Sequence, residues 1–187
     1  MRYRPSVSHV GFCVCVSLLI FLRPAVADAQ RDSRVAPPQS LLQVLDKEDR
    51  DCVLTNGGLG KSVRTQSIRL AVNGTRTLLV RGSGSCLCGA QNCGFWVYRQ
   101  KNQKYELLLK GAGSIKVNAG HDARKGYRDI VSESHASAIE TIVRTYRFDG
   151  SEYRLARCVS RAYYDDNGKP TKDPISRPCG EQPPKTK

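Results

Sequence analysis

Apolar and polar residues alternate through the middle of the chain, which is typical of antiparallel strands with one buried face. Three pairs of such runs are joined by short polar segments, and each pair predicts a β-hairpin. Asn73 and Gly74 are the predicted turn of the first hairpin, and Asp149 and Gly150 that of the third. The hairpins cover residues 67–72 with 77–80, 95–99 with 105–109, and 141–148 with 153–159, and further strands are predicted over 114–118 and 127–131.

The second and third hairpins share a sequence pattern. Each contains a Tyr-Arg pair and a second tyrosine seven residues after the first, with an offset of 48 residues: Tyr98, Arg99 and Tyr105 correspond to Tyr146, Arg147 and Tyr153. One interpretation is a supersecondary unit used twice, with Tyr and Arg on one face and aliphatic residues on the other. The alternative is chance similarity between hairpins of one sheet.

The N-terminal part of the chain predicts a single short helix. Ser40 is placed to cap its first turn, with Gln43 reaching back to complete a capping box. Three leucines give the helix its apolar stripe, whereas residues 46–51 are too polar to continue it. Residues 30–39 predict a flexible arm.

The C-terminal residues 165–187 contain five prolines and predict a loop or disordered tail tied down by Cys179. Residues 40–164 predict one β-rich domain. The predicted fold class is therefore mainly β, with antiparallel hairpins in a small sheet, sandwich or partial barrel, one short N-terminal helix and disulfides.

Residues 1–29 have the pattern of a removable leader. A positive start, an apolar stretch over residues 10–22 and the small-x-small sequence Ala27-Asp28-Ala29 are typical of a signal peptide. Its removal leaves 158 residues (187 minus 29). We therefore expect a periplasmic or secreted protein.

The cysteines that follow the leader predict a disulfide framework, because an even number in an oxidising compartment is typical of one. Six cysteines allow 15 sets of three pairs, and the sequence alone does not choose among them. The set that we favour is Cys52 with Cys86, Cys88 with Cys93, and Cys158 with Cys179. A zinc site built from Cys86, Cys88 and Cys93 with His121 or His135 is the less favoured alternative, since it lacks paired ligand spacing. No metal or cofactor is predicted.

The chain is strongly basic, with 30 Lys and Arg against 17 Asp and Glu. Without the leader the balance is 27 minus 16, or +11. This favours an anionic partner, such as an acidic glycan, a lipid headgroup, an acidic protein or nucleic acid. The alternative is solubility alone, because basic residues are scattered through every segment. No later apolar run reaches the roughly 20 residues of a membrane span.

Tyrosine and arginine can stack on sugars and pair with anions, so the Tyr/Arg hairpins supply the candidate binding residues. The seven candidates in these hairpins are Tyr98, Arg99, Tyr105, Tyr146, Arg147, Tyr153 and Arg154. Further candidates are Tyr127, Tyr163, Tyr164, Arg157 and the loop over residues 86–93. A solvated sheet face with cross-strand Tyr/Arg packing gives the same pattern.

Catalytic residues are not predicted, although His135 has Asp129 and several serines as sequence neighbours. A Ser/His/Asp arrangement could be drawn from them, but no Gly-x-Ser-x-Gly sequence supplies a nucleophile elbow. Residues 57–62 end in Gly-Lys-Ser without the earlier glycine of a phosphate-binding loop, so a flexible turn is predicted there.

Several short sequences together resemble a loose group of exported bacterial proteins of unassigned function. They are residues 88–93 (CGAQNC) followed by Trp96, residues 126–130 (GYRDI), residues 135–138 (HASA), and residues 146–150 (YRFDG) with Tyr153. The resemblance implies a bacterial periplasmic or secreted setting and a β-rich fold, and brings no activity with it.

Three functions follow as hypotheses. The first is an exported, non-enzymatic protein that binds an anionic or glycan-type partner at the cell envelope. The second is a secreted hydrolase that uses His135 and nearby polar residues, and the third is a structural component of envelope assembly.

Overall fold

The computed structural model describes residues 35–117, 125–165 and 167–180. Three short helices precede nine strands. The helices are α1 (Leu41–Val44), α2 (Lys47–Thr55) and α3 (Leu59–Ser62). The strands are β1 (Val63–Ile68), β2 (Thr77–Gly82), β3 (Gly94–Lys101), β4 (Lys104–Ala112), β5 (Ser114–Val117), β6 (Ile130–His135), β7 (Glu140–Phe148), β8 (Tyr153–Tyr164) and β9 (Pro170–Pro178). The leader predicted over residues 1–29 and His121 lie outside the described residues.

The strands form two antiparallel sheets in which every strand pairs with its sequence neighbour. Sheet 1 has the order β1-β2-β3-β4 and sheet 2 the order β5-β6-β7-β8-β9. The mainly β fold class is therefore confirmed. In the part of the chain that the structure describes, no helix is long and apolar enough to cross a membrane.

The second and third predicted hairpins are confirmed as β3–β4 and β7–β8. Asn102 and Gln103 connect β3 to β4 with φ angles of 49° and 64°. Positive φ at both central residues is the geometry of the tight turns that match strand twist.

The first hairpin is present, but its predicted boundaries are wrong. β1 pairs with β2 from Val63 to Ile68, opposite Gly82 to Thr77, which leaves residues 69–76 as a loop. The Asn73 side-chain oxygen accepts the Thr75 N–H, at 3.1 Å, and the Thr75 hydroxyl, at 2.8 Å. This local bonding opens the predicted two-residue turn into a wider loop.

The two Tyr/Arg hairpins have the same pairing register. Val97, Tyr98 and Arg99 lie opposite Leu109, Leu107 and Glu106, with a bulge between Val97 and Tyr98. Thr145, Tyr146 and Arg147 lie opposite Arg157, Leu155 and Arg154, with a bulge between Thr145 and Tyr146. Every position in the second set is 48 residues after its counterpart, so the predicted unit is used twice.

The prediction that Tyr and Arg share one face of this unit is wrong. Consecutive residues of a strand point to opposite faces, so Tyr98 and Arg99 are on different sides of the sheet. The same holds for Tyr146 and Arg147.

Sheet 1 is covered on both sides, because two separate apolar clusters lie on its two faces. One cluster joins helical residues such as Leu41 and Val53 to Leu78, Trp96 and Tyr98 of sheet 1. The other joins the opposite face of sheet 1 to sheet 2; it includes Leu79, Phe95, Val97, Leu109, Ile115, Ile130, Phe148 and Tyr153. The order of layers is helices, sheet 1, sheet 2.

The helical region contains more structure than predicted. α1 begins after Ser40, as expected, but the Ser40 side chain makes no capping hydrogen bond. Residues 46–51 were predicted to be too polar for a helix, but most of them belong to α2. This helix forms because Glu48 and Asp49 lie in its first turn and Val53 is buried beneath it. The predicted turn over residues 57–62 contains α3.

The described parts of the predicted N-terminal arm and C-terminal tail are more ordered than predicted. Val35 packs against the helical cluster, and the Thr65 hydroxyl donates to its carbonyl oxygen, so this half of the predicted arm is attached. Residues 170–178 of the tail, which was predicted as loop or disorder, form β9, antiparallel to β8. As an edge strand, β9 accommodates prolines, which have no N–H to donate to a further strand.

All three predicted disulfides are present: Cys52–Cys86, Cys88–Cys93 and Cys158–Cys179. The first joins α2 to the loop before β3, and the second closes a ring of six residues. The third joins β8 to the residue after β9, which confirms that Cys179 ties down the tail.

Candidate anion-binding face

The structure does not bring the seven predicted binding residues to one surface. Tyr98 is 1% exposed in the helical cluster, and Tyr105 packs against that cluster. Tyr153 is 4% exposed between the sheets, where Tyr146 also packs. These four tyrosines are therefore packing residues, which corrects their predicted place on a binding surface.

The three predicted arginines lie in two places. Arg99 of β3 donates from Nε to a Glu106 carboxylate oxygen at 2.9 Å, across the β3–β4 pair. Arg147 and Arg154 lie opposite each other on β7 and β8, on the side of sheet 2 that faces away from sheet 1. We call this side of sheet 2 the outer face.

The β-bulge in β8 adds Arg157 to the same face. Arg154 pairs with Arg147, whereas Arg157 pairs with Thr145, and one extra residue, Ala156, lies between the two pairs. Without a bulge, residues three apart would point to opposite sides of the sheet. With it, Arg154 and Arg157 share the outer face.

Arg161 continues the row, because it is four residues after Arg157 on the same strand and lies opposite Thr141. Strand geometry places the two Cα atoms about 13 Å apart. Lys116 of β5 lies on the same face, opposite Val131. Among the described strand positions of this face, Glu133 is the acidic residue, opposite Ser114 and Val143.

Asp149 fixes the turn from which the row of arginines starts. Its Oδ1 accepts the N–H groups of Ser151 at 2.8 Å and Glu152 at 3.0 Å, and its Oδ2 accepts from Arg154 Nε at 3.2 Å. The backbone hydrogen bonds from Glu152 and Ser151 hold the pKa of Asp149 well below its usual range. The carboxylate thus stays ionised and sets the register of β7 on β8.

Two of the four arginines are neutralised by neighbouring carboxylates. Arg147 Nε lies 3.1 Å from Asp129 Oδ2, and Arg154 contacts both Asp149 and Glu152. These pairs offset the repulsion between two arginines directly opposite each other. Less charge therefore remains at this end of the row for a partner.

Arg157 and Arg161 are exposed, and neither makes an ion pair or side-chain hydrogen bond within the described ranges. Val143 and Val159 lie opposite each other between them and are half-buried. Guanidinium groups without a carboxylate partner have the chemistry to pair with carboxylate, sulfate or phosphate groups.

A cavity of about 520 Å³ lies at the hairpin end of the outer face. Lys125, Arg147 and Arg154 contribute cations to its lining, and Phe148 and Leu155 contribute apolar surface. The Lys125 ammonium donates to the Asp149 carbonyl oxygen, a contact that does not neutralise its charge.

Sequence reasoning identified Arg147, Arg154 and Arg157 but missed Arg161. The reason is that β8 was predicted to end at residue 159, whereas it continues to Tyr164 because β9 pairs with it. The alternation of Arg157, Val159 and Arg161 was the signal that could have extended the strand.

The residues considered for hydrolysis are not brought together. Asp129 precedes β6 and His135 is its last residue, so the length of the strand separates their Cα atoms by about 20 Å. Asp129 is paired with Arg147, and Ser134 Oγ accepts from Arg144 at 2.8 Å.

The His135 backbone is held by the loop that the second disulfide closes. Asn92 donates to the His135 carbonyl oxygen at 2.7 Å and accepts its N–H at 2.9 Å. This loop was predicted to be part of a contact surface. It precedes β3 in the chain, and the two Asn92 hydrogen bonds attach it to the end of β6.

The sulfur atoms considered as zinc ligands are all part of disulfides. Within residues 35–117, 125–165 and 167–180, no group of three His, Cys, Asp or Glu side chains is placed to hold a metal ion.

Comparison of the chain with protein-family models, curated proteins and solved structures finds no match. The resemblance to exported bacterial proteins stays a prediction.

Proposed function

We propose that this protein is exported and binds a polyanionic partner of the cell envelope through the outer face of sheet 2. The observation that carries the proposal is the row Arg147, Arg154, Arg157 and Arg161, of which the last two have no carboxylate partner in the described chain. A partner with repeated negative groups can contact several of these cations at once, which gives avidity.

Export is part of the same proposal. The leader pattern over residues 1–29 and three disulfides support it, because such bonds persist in oxidising compartments. The net charge, which is 27 minus 16 or +11 without the leader, adds a long-range attraction for anions that does not depend on the face. The test must therefore separate the affinity that comes from the outer face from the affinity that comes from the overall charge.

The test compares two double variants with the same change in net charge. Arg157→Gln with Arg161→Gln removes the unpaired arginines, and Arg64→Gln with Arg76→Gln removes two exposed arginines elsewhere. Binding of the oxidised chain to a sulfated dextran is measured by calorimetry at several salt concentrations, with uncharged dextran as the reference.

We expect the outer-face variant to lose about tenfold in affinity and to reduce the slope of log K against log salt concentration by about 1.5 to 2. The control variant should change affinity by less than about threefold, through long-range charge alone. Equal losses in both variants would contradict the proposal, and so would an affinity that does not depend on salt.

A further inference from the structure

Beyond its charge, the outer face carries an aromatic residue at the far end of β8. Tyr163 follows Arg161 by two residues and so points to the same side of the strand. Its side chain is 47% exposed, and its N–H donates to the Ile139 carbonyl oxygen at 3.1 Å, which continues the β7–β8 pairing to this position. The ring thus lies at the end of the arginine row with an open face.

Each unpaired arginine also has a hydroxyl group beside it on the neighbouring strand. Thr145 lies opposite Arg157, and Ser176 of β9 lies opposite Arg161. Cross-strand neighbours are about 5 Å apart at Cβ. Neither hydroxyl makes a hydrogen bond within the described parts of the chain. The face therefore offers two adjacent sets, each with a guanidinium and a hydroxyl group, followed by one aromatic ring.

From this arrangement we infer that the polyanion is an acidic polysaccharide, an inference that rests on the proposed function. A sugar carrying a carboxylate or sulfate presents an anionic group beside hydroxyls, which matches the guanidinium–hydroxyl sets. Its ring has an apolar face that can stack on Tyr163.

The same positions are less suited to the other polyanions. A single-stranded nucleic acid is bound through several aromatic side chains on which successive bases stack. Here, of the outer-face positions in the described strands, Tyr163 is the one Tyr, Phe or Trp, and His135, opposite Thr141, adds a single imidazole. Val143 and Val159 lie between the arginines. A lipid surface favours a row of protruding apolar anchors, whereas these valines are half-buried.

The experiment measures binding of four probes to the oxidised chain: a linear polyuronate, a single-stranded oligonucleotide of equal charge, vesicles containing phosphatidylglycerol, and uncharged dextran. We expect the polyuronate to bind at least about tenfold more tightly than the oligonucleotide or the vesicles at physiological salt. Tighter binding of the oligonucleotide or the vesicles would overturn the polysaccharide inference and leave the proposed function standing. A chain that binds none of the three anionic probes would overturn the proposed function itself.

Two tyrosine variants test the stacking contact. Tyr163→Ala should weaken polyuronate binding about tenfold, an effect that persists at high salt because stacking is not screened. Tyr164→Ala is the matched control, since this neighbouring tyrosine is 37% exposed but points to the other side of β8. Tyr163→Phe should bind polyuronate like the natural chain, because it keeps the aromatic ring. Equal effects of the two alanine variants, with unchanged melting temperatures, would overturn the role of Tyr163.

Discussion

At the scale of single residues, two core tyrosines differ in what their hydroxyl groups contact. The Tyr153 hydroxyl donates to the Arg128 carbonyl oxygen at 2.7 Å. The Tyr98 hydroxyl is buried without a hydrogen-bond partner in the described chain. Burying an unpaired hydroxyl is costly, whereas a bonded one contributes to stability.

Replacing each tyrosine by phenylalanine should therefore have opposite effects. We expect Tyr153→Phe to lower the free energy of unfolding by about 1 kcal/mol, because the Arg128 carbonyl loses its donor. Tyr98→Phe should leave the free energy of unfolding unchanged or raise it by up to about 1 kcal/mol, since it removes an unpaired polar atom. Urea unfolding of the oxidised chain at pH 7 measures both, and a loss at Tyr98 as large as at Tyr153 would contradict the assignment.

The same variants give a second result at high pH. Burial raises the pKa of both tyrosines well above the ordinary value of 10. Above about pH 10 the unfolded chain releases these two protons while the folded chain keeps them, so stability falls as pH rises. Each phenylalanine variant should show a shallower decline in melting temperature above pH 10 than the natural chain, and the same pH dependence below pH 9.

At the scale of elements, the Cys88–Cys93 ring acts as a clamp between the two sheets. The Asn92 amide makes two hydrogen bonds with the His135 backbone, and the disulfide fixes the loop that carries it. The core between the sheets is apolar and non-directional, so these bonds supply a directional link at its edge.

Asn92→Ala should lower the free energy of unfolding by about 1 kcal/mol, because both hydrogen bonds between the loop and β6 are lost. His135→Ala is the matched control: it keeps the backbone groups that Asn92 contacts and removes an exposed side chain. The two variants are compared by urea unfolding. If His135→Ala destabilises the chain as much as Asn92→Ala, the clamp is not the source of the stability.

The sequence predicted those elements that are determined by residues close together in the chain. Hairpins β3–β4 and β7–β8 combine alternation with turn residues in one continuous segment. The disulfide pairing was one favoured set among 15, and of its three bonds only Cys88–Cys93 is local. β9 and α2 are stabilised by distant partners: β9 by pairing with β8, and α2 by Val53 in the core and by the Cys52–Cys86 bond. Propensity alone ranks such segments as loops.

The candidate site was predicted in part for the same reason. Arg147 and Arg154 were found because they flank a local turn. The tyrosines were misplaced because the shared pattern was treated as one face, although adjacent residues alternate. Tyr163 was named as a candidate, but its place on the same face as the arginines depended on the length of β8, as did Arg161, which was missed. That length is set by β9, a strand that the sequence did not reveal.

At the scale of the whole molecule, the two copies of the hairpin unit face the same way. In sheet 1, the face with Tyr98 packs on the helices, and the face with Val97 and Leu109 packs on sheet 2. In sheet 2, the equivalent face with Tyr146 packs on sheet 1. The outer face of sheet 2 is thus the counterpart of a surface that sheet 1 buries.

The residues at equivalent positions explain why this surface stays open. Thr145 and Arg157 stand where sheet 1 has Val97 and Leu109, 48 residues earlier, and each pair lies directly opposite across its strands. Polar outer faces at the ends of stacked units prevent further stacking. The change from apolar to polar at these positions both ends the stack and adds Arg157 to the row of cations.

We therefore predict that placing the apolar pair of sheet 1 on the outer face will cause copies of the chain to associate through that face. Thr145→Val with Arg157→Leu copies the sheet 1 residues, adding apolar side chains beside the half-buried Val143 and Val159. We expect concentration-dependent self-association in analytical ultracentrifugation, because a contiguous apolar patch on a strand face drives association. Thr145→Ser with Arg157→Gln removes the same charge without adding apolar surface, so it should sediment like the natural chain. Association of both variants would show that loss of charge, rather than the restored apolar face, is responsible.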